Sequence, residues 1–290
     1  MEKEIYIKKG WLFIPVCATY GELPFGGKKN NRMLEIFCRE DNSETKLFEF
    51  QIPAGEAEDE TYPVSYYARF PVKQFTDKTL ILRGDLGKAF FDRIRNEDVP
   101  ETEEKSLRAT QGEAFRRPSI HFTPQTGWMN DPNGFSYYQG EYHLFYQYYP
   151  YDTHWNSMHW GHVVSKDLLH WKHLPAALAP DEDYDKIGCF SGSAIELEDG
   201  RQLLLYTAVD QETMEDGTVR DIQTQAVAVG DGKDYEKYDK NPVLTAKDLP
   251  KGASKVDFRD PKIWKGNDGN FYCVIGSRPA DGSGQILLYR

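Results

Sequence analysis

No stretch of the 290 residues is apolar for the ~20 positions that a membrane-crossing helix needs. The opening Met1-Glu2-Lys3-Glu4-Ile5 lacks the apolar run of a secretion signal. Cysteine is scarce. Cys17, Cys38, Cys189 and Cys273 stand at long, irregular spacings and form no Cys-x-x-Cys pair, which argues against a zinc site and a disulfide framework. Buried reduced thiols are expected instead, as in a reducing compartment. Basic charge is also short. Lys and Arg number 35 against 46 Asp and Glu, a net charge of -11, and this argues against a nucleic-acid-binding face. These absences predict a soluble, cytoplasmic protein with no nucleic-acid or membrane partner and no cofactor. They leave its oligomeric state open.

Aromatic residues are plentiful. They make up 14% of the chain, with 18 Tyr and 6 Trp, which suits a β-rich protein and the apolar faces of sugar rings. Residues 1–95 carry short strand-type runs at Ile5–Val16, Met33–Arg39, Leu47–Ile52, Tyr66–Val72 and Thr79–Leu82, parted by turn clusters such as Gly26–Asn31. Short strands between turn signals predict a small sandwich-like β module, with one short helix near Lys88–Arg95. Asp59 and Glu60 are expected in a solvated loop. Residues 96–117, acidic and without apolar periodicity, read as a linker. The remainder, 118–290, reads as a second domain.

The most informative stretch is Trp128-Met129-Asn130-Asp131-Pro132-Asn133-Gly134. Proline fixes its own φ and drives the residue before it toward extended geometry, so Asp131 is held with little backbone freedom. Such a carboxylate suits nucleophilic chemistry, yet Asp-Pro-Asn-Gly is also a common turn composition. A repeat gives it context. Asp131-Pro132, Ser191-Gly192 and Asp260-Pro261 are each followed nine residues later by a turn glycine, at Gly140, Gly200 and Gly269. An apolar strand follows each glycine: Tyr142–Tyr148, Leu203–Ala208 and Phe271–Ile275. Third strands are expected at His159–Ser165, Thr224–Val229 and Gln285–Tyr289. A period of 60 and then 69 residues predicts propeller blades, with a run of sandwich hairpins as the competing reading. In a propeller, Asp131, Ser191 and Asp260 would ring one axial pocket, as the two carboxylates of a glycosidase or as a site that only binds. His154, His159 and His162 are close in sequence, but His159 and His162 fall on opposite faces of a strand. They are expected to pack beside Trp155 and Trp160 and not to hold a metal.

With these residues in hand, the chain resembles glycoside hydrolase family 32, the invertase, levanase and inulinase group. The likeness runs from about His121 to Arg290. It rests on Trp128–Gly134, Phe145-Tyr146-Gln147, Trp155 with Met158-His159-Trp160-Gly161-His162, Cys189-Phe190-Ser191-Gly192-Ser193, and Phe258-Arg259-Asp260-Pro261-Lys262. The resemblance implies an all-β chain: part of a five-bladed propeller, about two and a half to three blades, behind the small β-rich module. It implies cleavage of β-linked fructofuranosyl bonds with retention. Asp131 resembles the nucleophile and Asp260 the transition-state stabiliser. Arg259 stands beside Asp260 and could keep it ionised. Trp128, Met129, Asn130, Gln147, Trp155, Phe190 and Ser191 resemble residues of the fructoside pocket.

The family's general acid/base is a glutamate in a Glu-Cys-Pro type motif, and no Glu-Cys pair occurs here. The third repeat also stops short of its outer strand. The sequence therefore reads as a fragment whose own hydrolysis is severely impaired, since a positioned general acid contributes about 10²–10⁴-fold. Three functions follow: part of a β-fructofuranosidase acting on sucrose or a short fructan, a non-catalytic fructoside-binding remnant, or a fructosyltransferase of the same fold.

Overall fold

The computed structural model describes residues 1–17, 31–40, 43–53, 61–98, 121–124, 127–152, 154–279 and 281–290. The expected Gly26–Asn31 turn, the Asp59–Glu60 loop and the acidic stretch beyond Asp98 lie largely or wholly outside them. The structure is nearly all β and divides into two compact units. Unit 1 holds residues 1–129 and 149–156, and unit 2 holds residues 130–148 and 157–290.

The described residues of unit 1 include the strands β1 (Glu2–Tyr6), β2 (Trp11–Val16), β3 (Asn31–Glu40), β4 (Ser43–Pro53), β5 (Tyr66–Pro71), β6 (Thr79–Gly84) and β7 (Arg95–Glu97). Helix α1 (Lys88–Arg93) precedes β7. The sheets run β1-β6-β3-β4 and β5-β2-β7. Burial alternates along β3, with Leu34 and Ile36 inside, whereas β2 and β6 are buried at successive positions, Leu12 to Ile14 and Leu80 to Leu82. The Ile5–Val16 run is not one strand but two, in different sheets. The break is held by Asn96 of β7, whose Oδ1 accepts the Lys8 and Lys9 N–H groups at 2.9 Å. Its Nδ2 donates to the Lys9 and Trp11 carbonyls. One long-range side chain thus satisfies the backbone where the strand leaves its sheet.

The later strands form three antiparallel meanders. The first contains β8 (Trp128–Tyr138), β9 (Glu141–Tyr149), β10 (His159–Ser165) and β11 (Trp171–Leu178). The second contains β12 (Gly188–Glu196), β13 (Gln202–Thr213), β14 (Val219–Gly230) and β15 (Tyr235–Lys237). The third contains β16 (Ala253–Lys265), β17 (Phe271–Pro279) and β18 (Gln285–Tyr289). The turn glycines Gly140, Gly200 and Gly269 have φ of +85°, +81° and +81°, which explains their common place in the repeat.

The sheets of unit 2 pack face to face as blades. Phe145 and Trp160 of the first sheet meet Ala194, Leu204, Tyr206, Ala226 and Ala228 of the second. Leu205, with Leu203 and Val227, meets Phe258, Ile275 and Leu287 of the third. The other face of the third sheet is open, with Ile286 77% and Leu288 64% exposed.

The first blade also buries three histidines. His162 stacks on Phe145 with ring centroids 4.2 Å apart, and its Nε2 lies 3.0 Å from Nδ1 of His143. His159 donates from Nδ1 to the Ser157 carbonyl at 3.1 Å. Burial depresses His162 to about 3 and His159 to about 4, and lowers His143 as well. A histidine depressed in the fold takes up a proton on unfolding. Its contribution is complete above about pH 6.5 and is lost as the pH falls toward the folded value. The unfolding free energy of the chain in urea melts, and with it the midpoint, is therefore expected to fall from pH 7 to pH 5, the free energy by up to about 1.4 kcal/mol per pH unit for each histidine that stays neutral. A flat midpoint over that range would show that these rings protonate freely in the native state.

Candidate active site

Asp131-Pro132-Asn133-Gly134 is not a turn. It lies within β8, the strand at the inner edge of the first sheet. Gly134 takes φ +52°, and a Cβ there would stand 2.8 Å from the Phe145 ring, so glycine lets β8 lie against the blade core. Asp131 is exposed, and its Oδ2 accepts a 3.0 Å hydrogen bond from Ser191 Oγ on β12, sixty residues away.

Ser191 and Asp260 share a local device. The β12–β13 register shifts between Phe190 and Gly192, and the β16–β17 register shifts between Arg259 and Lys262. Both residues therefore sit on β-bulges, which bend a strand and re-aim a side chain. Asp260 also has φ +61°. For a non-glycine residue this left-handed backbone costs roughly 1–3 kcal/mol and persists only where its surroundings enforce it.

The surroundings do so through hydrogen bonds. Thr207 of β13, fully buried, accepts the Asp260 N–H at Oγ1 at 3.0 Å. The same hydroxyl lies 3.2 Å from the Ser191 carbonyl and 3.3 Å from Gln225 Oε1. Ser193 donates to the Pro261 carbonyl at 2.8 Å and accepts the Ile263 N–H at 2.9 Å. Gln223 accepts the Phe258 N–H at 2.9 Å, and Gln225 donates to the Phe258 carbonyl at 2.7 Å.

The Asp260 carboxyl is raised above its ordinary value, first by burial, with Asp131 adding to the rise and Arg259 pulling it down. Its side chain is 60% open, so it is walled on some sides and wet on others. Arg259 acts in the expected direction, toward the ionised form, although burial raises the carboxyl by more. Arg259 Nε stands 4.0 Å from Asp260 Oδ2 while its Nη2 lies 3.7 Å from Asp257. Asp257 is held more closely by Arg278, at 2.8 Å.

The other expected pocket residues divide between the units. Gln147 is buried, and its Nε2 donates to the Cys189 carbonyl at 3.0 Å. The Phe190 carbonyl accepts Trp160 Nε1–H at 3.1 Å. Asn130 is half-buried in β8. Trp128, Met129 and Trp155 are half-buried and belong to unit 1. His154 Nδ1 lies 3.2 Å from Asp152. Among the described residues, no group of three or more His, Cys, Asp or Glu could hold a metal ion, and no helix is long and apolar enough to cross a membrane.

Thr207, Gln223 and Gln225 stand outside the expected site residues, and Ser193 enters only within the Cys189–Ser193 motif. Polar residues inside the runs Leu203–Val209 and Ile222–Val229 are the signal that could have drawn attention to Thr207 and the two glutamines.

Comparison with known proteins places this geometry in context. Over 202 residues the chain is 42% identical to a sucrose-6-phosphate hydrolase of Zymomonas mobilis, covering 68% of this chain and 37% of that protein. A Bombyx mori GH32 β-fructofuranosidase, solved as a mutant in complex with sucrose, is 44% identical with a TM-score of 0.53. That likeness covers 66% of this chain and 40% of the other. A sucrose-6-phosphate hydrolase from Lactobacillus gasseri is 37% identical with a TM-score of 0.54, covering 66% and 37%. The chain thus spans well under half the length of these relatives. From residue 121 to residue 290 it matches the N-terminal domain of glycosyl hydrolases family 32, and it belongs to that family.

Proposed function

We propose that this chain carries the nucleophile half of a retaining β-fructofuranosidase site, acting on the terminal fructofuranosyl bond of sucrose or a short fructan. The observation that carries the reading is the meeting of Asp131, Ser191 and Asp260. Ser191 Oγ of β12 bonds Asp131 of β8 at 3.0 Å, and Thr207 Oγ1 ties the Ser191 carbonyl to the Asp260 N–H of β16.

The chemistry follows from that arrangement. An Asp131 oxygen attacks the anomeric carbon as the bond to the leaving oxygen breaks, giving a fructosyl-aspartate. The Ser191 bond holds one Asp131 oxygen, leaving the other to attack. Asp260, when ionised, accepts hydrogen bonds from ring hydroxyls. Those bonds strengthen as positive charge develops on the ring, so they favour the transition state over the ground state. Water then attacks the same carbon and releases fructose. In a transferase a second sugar takes the place of water. The leaving oxygen needs a proton from a general acid, which the resemblance assigns to a glutamate that these 290 residues do not supply.

A substrate that needs no such proton tests the nucleophile alone. β-D-Fructofuranosyl fluoride leaves as fluoride. The expected result is a mass increase of one fructosyl group on the peptide carrying Asp131. Saturable fructoside binding with no adduct would favour the binding remnant instead. The same adduct intercepted by added sucrose, yielding a trisaccharide in place of fructose, would favour the transferase.

A further inference from the structure

The two bulges that carry Ser191 and Asp260 belong to different blades, and one hydroxyl joins them. Thr207 accepts the Asp260 N–H at 3.0 Å and lies 3.2 Å from the Ser191 carbonyl. A threonine hydroxyl has one proton and two lone pairs, so it can accept from Asp260 and donate to Ser191 at once, or turn its proton to Gln225. Thr207 is fully buried, so no water substitutes for it from bulk solvent. Where β16 leaves its regular ladder, side chains take over its backbone groups. Gln223 and Gln225 hold Phe258 on the near side of the bulge, and Ser193 holds Pro261 and Ile263 on the far side. Between these clamps Asp260 is kept in its left-handed conformation.

We propose that the Thr207 and Ser193 hydroxyls are positioning groups of this site: they fix the Asp260 bulge against the strand that carries Ser191, and so set the placement of Asp260 relative to Asp131. The catalytic meaning of that placement rests on the fructosyl-transfer reading, whereas the geometric claim does not. Both side chains are buried, and each acts through backbone groups, Thr207 on Asp260 and Ser193 on Pro261 and Ile263.

The test uses the 290-residue chain. Thr207→Val keeps shape and β-branching and removes the hydroxyl, and Thr207→Ser keeps the hydroxyl. Ser193→Ala is the independent arm, for use even if Thr207→Val does not fold. Two readouts are taken: amide hydrogen exchange by NMR and the rate of adduct formation from fructosyl fluoride. In Thr207→Val the Asp260 amide is expected to exchange about tenfold faster, the effect of one lost hydrogen bond. Its labelling rate is expected to fall about 10²-fold, as for a reacting group displaced by about 1 Å. Thr207→Ser should restore both. In Ser193→Ala the Ile263 amide should loosen and labelling fall likewise. A reporter amide that keeps its protection removes that residue from the proposal. So does loosened exchange with undiminished labelling, because the bulge would then not set the geometry of transfer. If the unaltered chain is not labelled at all, the transfer reading fails, and the exchange arm alone decides whether the two hydroxyls hold the bulge.

Discussion

Asp131→Asn is expected to lose adduct formation by on the order of 10⁶-fold, the scale on which removal of a covalent nucleophile acts. Asp260→Asn is expected to lose about 10²–10³-fold, the scale of one oriented electrostatic contact with developing charge. The two substitutions are matched in size and differ only in role. At position 131 the amide oxygen still accepts from Ser191 Oγ, so the local geometry survives while the proposed nucleophile is gone. At position 260 asparagine tolerates the left-handed backbone and keeps one acceptor oxygen, so binding is retained while the charge is lost. Labelling by the fluoride, followed by peptide mass, separates them. Equal losses at the two positions would remove the division of roles.

The pH dependence is linked to the same assignment. Burial, with Asp131 adding to it, raises Asp260, so its carboxylate protonates at a higher pH than an unperturbed aspartate. The acid limb of the labelling profile of the unaltered chain should therefore start early. In Asp260→Asn that part of the limb should disappear.

The second large effect lies away from the pocket. Lys237→Met is expected to destabilise the chain by about 3–5 kcal/mol, because it strands a buried carboxylate. The Asp185 side chain is fully buried and that of Lys237 is 12% exposed, with Nζ 2.6 Å from Asp185 Oδ2. Lys237 also binds Asp181 and donates to the Ala179 carbonyl at 2.7 Å. Burial works against its charge, but the carboxylates of Asp185 and Asp181 outweigh burial and hold it above its ordinary value. Asp185 is otherwise held by the Tyr206 hydroxyl at 2.9 Å and the Glu182 N–H at 3.0 Å. These contacts would remain in an Asp185→Asn/Lys237→Met double variant, which is expected to recover much of the loss. Urea melts of the two single variants and the double variant measure that coupling. A Lys237→Met chain as stable as the original would show that Asp185 is reached by water.

Several features were legible because they are local. The Gly140, Gly200 and Gly269 turns were readable because a left-handed turn position selects glycine whatever surrounds it. Strands β10 and β18 fell on the expected residues, since a run of apolar and β-branched residues between polar breaks is enough to mark a strand. The motif around Asp131 was legible as chemistry and, through Pro132, as extended backbone at Asp131, but the place of the whole Asp-Pro-Asn-Gly run inside one strand was not. Its turn-like composition lies inside β8, because pairing and packing against Phe145 override local propensity. The split of Ile5–Val16 was not legible either. It depends on Asn96, more than eighty residues away.

By itself, then, the sequence determined an all-β chain built of repeated meanders and membership of a fructoside-cleaving family, and it supplied Asp131, Ser191 and Asp260 as candidates. Only the tertiary structure decided how these meet. The two bulges, the left-handed Asp260 and the Thr207 bridge depend on contacts between separate strands, and the Lys237–Asp185 pair ties β15 to the segment before β12. Strand periodicity records which face a side chain takes, and a bulge breaks that period. The partners of a displaced residue are therefore fixed by inter-strand register and blade packing, neither of which a local pattern contains.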